Sequence, residues 1–465
     1  MISILLAAAT LTIQSVSQNP TTRTVAVDYT VSGEPAVVTL DAVTTNGAPM
    51  AATDLLNVAG DANRLVGVGT HRALWQPPAE AGFGPFDARA VQVSLKAWAT
   101  NAPPDYMVID LELPDRVRYY TSTNAIPGGI GDIRYKTDFL VMRRIPAAGV
   151  VWRMGSTTAV RPGNWSTGNY RAEEHTHYVK LSEDYYLAVY PTTFRQFYWL
   201  NNKANGTNAF ASWGGDWDWP MGRMQYVVLR SWFHNDANCP YLKGLSDKYA
   251  DDTYHKFWPR DGHEIDAANT PKCTCKGGGT YTPTLRKARD RYGVMFDLPT
   301  DAQWEFACRA GGNGESLYNG HELGPTNQLD ENLDEIAWYV FNSTNAEYGC
   351  CLPHSVGLKK PNAYGLYDMI GNISEYCLDI YVEAPNDADV HEDPKGKVPA
   401  MNIPNSCVIR GSTFDGAGVF SRSPARQQIP ITYQDNNVFS GDRKTGTAYS
   451  NSNGFRLWAP CHAVK

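Results

Sequence analysis

Cysteine is absent from the first half of this 465-residue chain, and positive charge is nowhere in excess. Lys and Arg number 41 against 48 Asp and Glu, so the formal net charge is -7. A nucleic-acid binder needs a strong basic field, which excludes that class of partner. Beyond the N-terminus no apolar run approaches the roughly 18 residues of a spanning helix, so an integral membrane protein is not expected.

The common catalytic signatures are also absent. The chain has no Gly-x-Ser-x-Gly and no His-Glu-x-x-His spacing, and the glycines at 277–279 lack the Gly-Lys-Ser/Thr ending of a phosphate loop. The nine cysteines are an odd number, so at least one thiol stays unpaired if the protein is exported. Neither Cys273 with Cys275 nor the vicinal pair Cys350–Cys351 has the spacing of a zinc knuckle.

The N-terminus carries an apolar run of signal-peptide length followed by a small-x-small pattern at Ser15–Ser17. We therefore predict a signal peptide at residues 1–17, although no positive charge precedes the run. A first β-strand is the alternative. Export places the protein outside the cytoplasm, as a secreted, cell-surface or periplasmic protein.

Residues 20–114 show the alternation of short β-strands. Val25, Val27, Tyr29 and Val31 alternate with smaller or polar residues, and further short strands follow at regular spacing. This pattern predicts an all-β immunoglobulin-like sandwich. The Gly- and Pro-punctuated residues 115–148 are expected to form a linker.

From residue 149 onward aromatic residues, Gly and Asn increase, and regular periodicity becomes scarce. The clearest helix signal begins at Thr300, a natural N-cap with Gln303 at the third helical position, and ends at Gly311. A second helix is predicted over residues 193–201. Long irregular stretches between such elements are typical of functional loops.

Six motifs in this part, in order, resemble the formylglycine-generating enzyme family, also called sulfatase-modifying factors. They cover residues 149–462, and the resemblance implies an α+β fold of the C-type-lectin-like kind. The motifs are RMGS (153–156), HYVKLSEDYYLAVYPTTFRQF (177–197), LPTDAQWEFACRAG (298–311), PNAYGLYDMIGNISEYCLD (361–379), VIRGSTF (408–414) and NGFRLW (453–458).

The resemblance implies copper(I) chemistry only if two cysteines follow the strand that opens at Arg410. Counting from Arg410, the two family positions are Gly416 and Ser421, and neither is a cysteine. A hydroxyl is a hard ligand that cannot replace a thiolate on copper(I). Copper is therefore not expected.

Related members use a three-histidine iron site. Here His175 and His177 form the only close pair, expected to be an exposed polar turn, and His234, His255 and His263 have no ligand spacing. No three-histidine site can be assembled from the sequence.

The resemblance also implies a structural calcium site at Asp368, Gly371, Ile373 and Glu375. Calcium prefers several oxygen ligands that mix carboxylates with backbone carbonyls. The two carboxylates would come from Asp368 and Glu375, and the carbonyls from Gly371 and Ile373. A tight turn without an ion is the alternative.

Residues 412–452 are expected to line an exposed groove, rich in the aromatic and small polar residues of adaptable binding surfaces. Arg422 and Arg426 match an arginine pair that braces this loop in the family. The predicted groove residues are Phe414, Asp415, Gly416, Phe420, Ser421, Arg422, Arg426, Tyr433 and Tyr449.

The missing thiols favour a non-catalytic binding protein that uses this groove for a protein, peptide or glycan ligand. The first alternative is an oxidase of sulfatase cysteines with altered metal ligands. The second is a ligand-display protein diversified by a retroelement, which the loop composition allows. A family motif carries fold information more than chemistry, so the function is left open among these three.

Overall fold

The computed structural model describes most of the chain and divides it into two compact units. The first unit comprises residues 1–135 and 139–144, and the second comprises residues 136–138 and 145–463. The described residues are 8–45, 48–51, 55–78, 91–113, 116–156, 175–203, 215–222, 224, 229, 273–274, 280–281, 284–312, 317–324, 327–381, 388–394, 406–430 and 452–461.

The described part of the first unit consists of β-strands and two short 3-10 turns. Two antiparallel sheets have the orders β1-β2-β7-β5 and β4-β3-β6, and β8 pairs with β3. The strands are β1 (Thr10–Gln18), β2 (Val25–Ser32), β3 (Ala36–Thr45), β4 (Ala48–Pro49), β5 (Val58–Gly60), β6 (Arg64–Val66), β7 (Gly69–Trp75), β8 (Val91–Ala99), β9 (Tyr106–Asp110), β10 (Val117–Tyr120) and β11 (Phe139–Ile145).

One apolar core holds the strands of this unit together. Val25, Val27, Tyr29 and Val31 are buried on one face of β2 and pack with residues from the other sheet, including Val38. Their alternation along the strand was the basis of the prediction from sequence, and the buried face confirms the strand. The unit is all-β in its described part, as the sequence indicated.

The predicted signal peptide overlaps strand β1. Thr10–Gln18 pairs antiparallel with β2, from Thr10 opposite Ser32 to Gln18 opposite Val25. The strand is the alternative that the sequence left open for this segment. The first seven residues lie outside the described part of the chain.

The segment predicted as a linker, 115–148, contains two strands. Both β10 and β11 pair antiparallel with β9, which they flank. The prediction of a simple connector is wrong for these residues, because Val117 and Tyr119 are buried on alternate positions of β10 and residues 140–142 are all buried on β11. The Gly- and Pro-rich turns at 127–131 lie between the two strands.

The second unit mixes helices with short strands. Its helices are α1 (Phe194–Leu200), α2 (Thr284–Tyr292), α3 (Asp301–Arg309) and α4 (Glu331–Asp334), and its strands are β12 (Val151–Met154), β13 (His177–Lys180), β14 (Tyr185–Ala188), β15 (Cys273–Thr274), β16 (Thr280–Tyr281), β17 (Thr344–Asn345), β18 (Cys350–Cys351), β19 (Ser374–Ile380), β20 (Val390–Glu392), β21 (Ser406–Arg410), β22 (Arg426–Pro430), β23 (Asn453–Gly454) and β24 (Trp458–Pro460).

Two sheets of this unit position the residues considered below. One has the order β22-β21-β19-β23, in which β19 runs parallel to β23 and antiparallel to β21. The other has the order β12-β13-β20. None of the described helices is both long and apolar enough to cross a membrane.

Helix α3 lies at the centre of this unit and is buried along its whole length. It begins as predicted, with a capping box in which Thr300 and Gln303 exchange side-chain and backbone hydrogen bonds. It ends at Ala310, which takes the left-handed conformation, followed by Gly311 at φ 74°. Helix α1 also begins with a capping box, at Thr193, so both predicted helices are confirmed.

Candidate functional site

The segment between β21 and β22 starts with a sharp turn at Gly411 and Ser412. Both residues have positive φ, 90° and 66°. A Cβ on Gly411 would lie 3.0 Å from the carbonyl oxygen of Met369 and 3.3 Å from the Trp304 ring, so the backbone approaches too closely for a side chain. The turn sends the chain away from β21, and it returns at β22 with Arg410 opposite Arg426.

Buried ion pairs attach both ends of this segment to helix α3. Arg410 contacts the Asp301 carboxylate at 2.5 Å, and Arg426 Nε lies 2.7 Å from the other oxygen of the same group. Burial acts against ionisation of Asp301, but the positive charges of Arg410 and Arg426 outweigh it and lower the pKa of Asp301. The prediction that Arg426 braces the loop is consistent with this contact.

Glu305, one turn further along α3, is the second anchor. It lies 3.0 Å from Arg410 Nη2 and 2.7 Å from Arg309, and its Oε1 accepts a hydrogen bond from the backbone N–H of Gly155. All three charged side chains are almost fully buried. The network therefore holds both ends of the segment through buried ion pairs, and both carboxylates have arginine partners.

The predicted exposed groove is wrong for most of its described residues. Asp415 and Gly416 are half-buried, whereas the aromatic, serine and arginine members are buried. The aromatic and arginine side chains pack inward because the ion pairs hold the segment against α3. The buried members are Phe414, Phe420, Ser421, Arg422 and Arg426, and Tyr433 and Tyr449 lie outside the described residues.

Three polar atoms in this segment are buried and lack a hydrogen-bond partner among the described residues. They are the hydroxyls of Ser412 and Ser421 and Nη2 of Arg422. Buried polar atoms are nearly always paired in proteins, so such atoms indicate a missing partner. The sequence placed all three residues in the predicted segment 412–452, but their lack of partners depends on tertiary packing.

The two family copper positions carry no metal ligand in the structure. A Cβ on Gly416 would overlap the hydroxyl of Ser412, and Ser421 is fully buried. A thiol at residue 416 would require Ser412 to move. The expectation that copper has no thiolate pair here rests on these two residue identities.

Three buried thiols are poor substitutes for the missing pair. Burial raises the pKa of Cys308 to about 12 and raises the pKa of Cys377 and Cys407 as well. A protonated buried thiol neither binds copper(I) well nor reaches a substrate. Cys350 and Cys351 are half-buried free thiols on β18.

The predicted calcium residues are close together but do not fit an ion in this arrangement. The Glu375 carboxylate accepts hydrogen bonds from Arg456 at 2.8–3.1 Å and from Trp304 Nε1 at 2.7 Å, which occupies the acceptor positions of both oxygens. Arg456 also donates to the backbone carbonyl of Asp368 at 3.3 Å. The guanidinium thus supplies the positive charge that the ion would bring.

Asp368 itself accepts a hydrogen bond from Gly357 N at 2.7 Å, and burial raises its pKa to about 6. Gly371 has φ 77°, and a Cβ there would overlap the Trp338 carbonyl. Ile373 is buried beside it. The loop is therefore a tight turn closed by protein groups, the alternative that the sequence left open.

A histidine contact was missed from the sequence. His177 is buried, contrary to the predicted exposed turn, and its ring contacts that of His391 edge to face at 5.7 Å between centroids. The two are far apart in sequence and meet because β13 pairs in parallel with β20. In the described parts of the chain, no three His, Cys, Asp or Glu side chains converge on a metal position.

A stacked aromatic pair was also missed. Trp338 and His354 lie 3.7 Å apart between ring centroids, and Lys359 Nζ lies 4.1 Å from the indole centroid. Asn372 holds both backbones, since its N–H donates to the Trp338 carbonyl and its side chain exchanges bonds with His354. No sequence spacing signals this contact.

Comparison with known proteins matches the chain to one family and to several proteins. Residues 145–441 match the model of the sulfatase-modifying factor enzyme 1-like domain. Among proteins, the chain is 34% identical over 82 residues to the formylglycine-generating enzyme of Mus musculus, covering 18% of this chain and 22% of that protein. It is 25% identical over 253 residues to the chaperone protein LppX of Paenibacillus barcinonensis, covering 52% of this chain and 78% of that protein.

Among solved structures, the chain is similar to Treponema denticola variable protein 1, with a TM-score of 0.38 and 19% identity over 69% of this chain and 95% of that one. It is also similar to PvdO from Pseudomonas aeruginosa, with a TM-score of 0.35 and 16% identity over 69% and 94%. The chain spans about a fifth of the mouse relative's length. Because the family model covers more than half of the chain, the protein belongs to the sulfatase-modifying factor enzyme 1-like family.

Proposed function

We propose that the second unit is a binding domain that uses the segment between β21 and β22, and that it does not oxidise cysteine. One observation carries this proposal: Gly416 and Ser421 stand where the family's copper chemistry needs two thiolates. A domain that keeps the fold but lacks the metal ligands loses the reaction and can still bind a ligand. The ligand is a protein, peptide or glycan.

The closest alternative is the oxidase with other ligands, because the family includes formylglycine-generating enzymes. Cys407 would be the nearest thiol in sequence to the segment, on β21. Its burial and raised pKa argue against a copper role. Calcium has no fitting ligand set in this arrangement and is no part of the proposal.

The first unit is proposed to be an immunoglobulin-like spacer or docking module of an exported protein. Support comes from its two antiparallel sheets around one apolar core. Export is proposed from the apolar run near the start of the sequence.

The test measures copper content and oxidation of a peptide carrying a sulfatase-type cysteine, with and without added copper. We expect no bound copper and no aldehyde product. The same measurement is made on a Gly416→Cys, Ser421→Cys double variant. Copper bound by this variant would show that the wild-type protein lacks only the two thiolate ligands. Aldehyde formation by the unmodified protein, lost on copper removal, would overturn the binding role in favour of the oxidase.

A further inference from the structure

Arg422 is a buried guanidinium without a compensating charge among the described residues. Its side chain is 2% exposed, its Nε donates to the carbonyl of Val419 at 2.8 Å, and its Nη2 has no hydrogen-bond partner. The other buried arginines of this region differ, because Arg410 and Arg426 both pair with Asp301. Within the described part of this region, Arg422 therefore differs from Arg410 and Arg426 in having no ion-pair partner.

An isolated charge in a protein interior is strongly unfavourable unless a counter-charge accompanies it. Burial lowers the pKa of Arg422, and no carboxylate acts against that shift. A guanidinium nevertheless stays protonated in proteins, so neutralisation is not available to it. The unfavourable burial is relieved only if an anion comes to the side chain.

The nearest carboxylate in sequence is already used elsewhere. Asp415 accepts hydrogen bonds from Thr413 at 2.7 Å and from Ser452 at 3.3 Å. Its pKa is raised by burial, with no arginine among the groups that act on it. Asp415 therefore does not serve as the counter-ion of Arg422.

Two further donors without partners belong to the same segment. The hydroxyl of Ser421, next to Arg422 in sequence, and the hydroxyl of Ser412 are both buried and unpartnered among the described residues. A guanidinium offers only donors, and each hydroxyl can donate one more hydrogen bond. The group that accepts from such a set is an oxyanion, a carboxylate or a sulfate, and its bonds to a guanidinium are charge-assisted.

We propose that the segment 412–422 binds an oxyanion group, with Arg422 as the charged anchor and Ser421 as a hydroxyl donor. The proposal rests on the proposed binding function and gives its ligand a chemical class: an acidic peptide or a sulfated compound presenting that group. Arg422 contributes the charge and Ser421 the orientation. Ser412, at the start of the segment, adds a further hydroxyl.

The test uses the full-length, metal-free protein and sodium sulfate or sodium acetate as the probe, against sodium chloride at equal ionic strength. Isothermal titration measures the affinity, and thermal unfolding measures the stabilisation. Sulfate stabilises proteins generally by exclusion from their surface, so a control variant is needed. Arg134→Gln, at an exposed ion pair in the first unit, has the same change of charge.

We expect saturable binding of sulfate or acetate by the wild type and by Arg134→Gln. Arg422→Gln should weaken that binding about tenfold or more, because it removes charge-assisted hydrogen bonds. Ser421→Ala should weaken it a few-fold and supplies the test if Arg422→Gln does not fold. Preference for acetate assigns a carboxylate ligand, and preference for sulfate assigns a sulfated one.

The proposal is overturned if neither anion binds saturably, or if Arg422→Gln and Ser421→Ala both bind as the wild type does. The proposal would also be overturned if Arg422→Gln were more stable than the wild type at every anion concentration. That result would show that added anions do not compensate the buried charge of Arg422. The copper experiment is independent, because an oxidase could still bind an oxyanion here and a binding domain could lack this site.

Discussion

At the scale of single residues, Glu305 is a buried carboxylate that links helix α3 to the start of the segment between β21 and β22. It is fully buried, and it joins Arg309 on its own helix to Arg410 on strand β21. Removing one partner from a buried ion pair leaves the other charge uncompensated, which is worse than never having the pair. The identity of the side chain therefore matters more than its size.

Glu305→Gln is expected to lower the free energy of unfolding by about 3–5 kcal/mol, because buried Arg309 loses its counter-charge and Arg410 keeps only Asp301, which it shares with Arg426. Denaturant unfolding of both proteins measures the difference. Glu335→Gln is the matched control, because Glu335 pairs with Lys360 on the surface, and an exposed pair is worth about 0–1 kcal/mol. Equal losses in the two variants would contradict the structural role given to Glu305.

His354 links stability to pH. Burial, aided by Lys359, lowers its pKa to about 4 from an ordinary value of 6.5. The folded state therefore keeps the ring neutral while the unfolded chain takes up a proton below pH 6.5. The stabilisation is present above pH 6.5 and is lost as the pH falls from 6.5 through 4.

Replacing the ring by one that cannot titrate should flatten this dependence. We expect His354→Phe, which can keep the stack on Trp338, to reduce the loss of stability between pH 6.5 and 4 by about 1–2 kcal/mol, a value discounted for partial exposure. Urea unfolding at several pH values measures it. His321→Phe, at an exposed position, is the control, and an identical slope in both variants would refute the assignment.

At the scale of elements, helix α3 was predictable because its signals are local. Thr300 and Gln303 lie three residues apart, and the left-handed stop falls just before Gly311. The segment 412–430 was not predictable in the same way. Its residue types fit an exposed groove, but its side chains turn inward because Arg410 and Arg426 pair with Asp301 on α3, more than 100 residues away in sequence.

The N-cap of α3 should contribute a measurable part of that helix's stability. Thr300→Ala removes the acceptor for the Gln303 N–H and is expected to lower the free energy of unfolding by about 1 kcal/mol. Thr300→Ser keeps the hydroxyl oxygen and should lose much less. Thermal and urea unfolding compare the three proteins, and equal losses for Ala and Ser would show that the methyl contacts matter instead.

At the scale of the whole molecule, the described residues form two units, each with its own apolar core. The core of the first unit draws on strands β2, β3, β6, β7 and β8, and that of the second draws on α3 and the strands around it. In the sequence, the composition changes near residue 149, where aromatic residues, Gly and Asn increase. This position is close to the boundary between the two units at residues 144–145. The prediction from sequence missed β10 and β11, because short strands between Gly- and Pro-rich turns resemble a connector.

The sequence alone determined the family, the two predicted helices, strands β2, β3, β6, β7, β8 and β9 of the first unit, and the absence of thiols at residues 416 and 421. These depend on residue identity and on contacts a few positions apart. Only the tertiary structure decided that most groove side chains are buried, that Arg456 binds Glu375, and that Arg422 has no counter-charge among the described residues. Each of these depends on groups brought together from distant parts of the chain. Burial makes an unpaired charge strongly unfavourable, so the partner of each charged group matters.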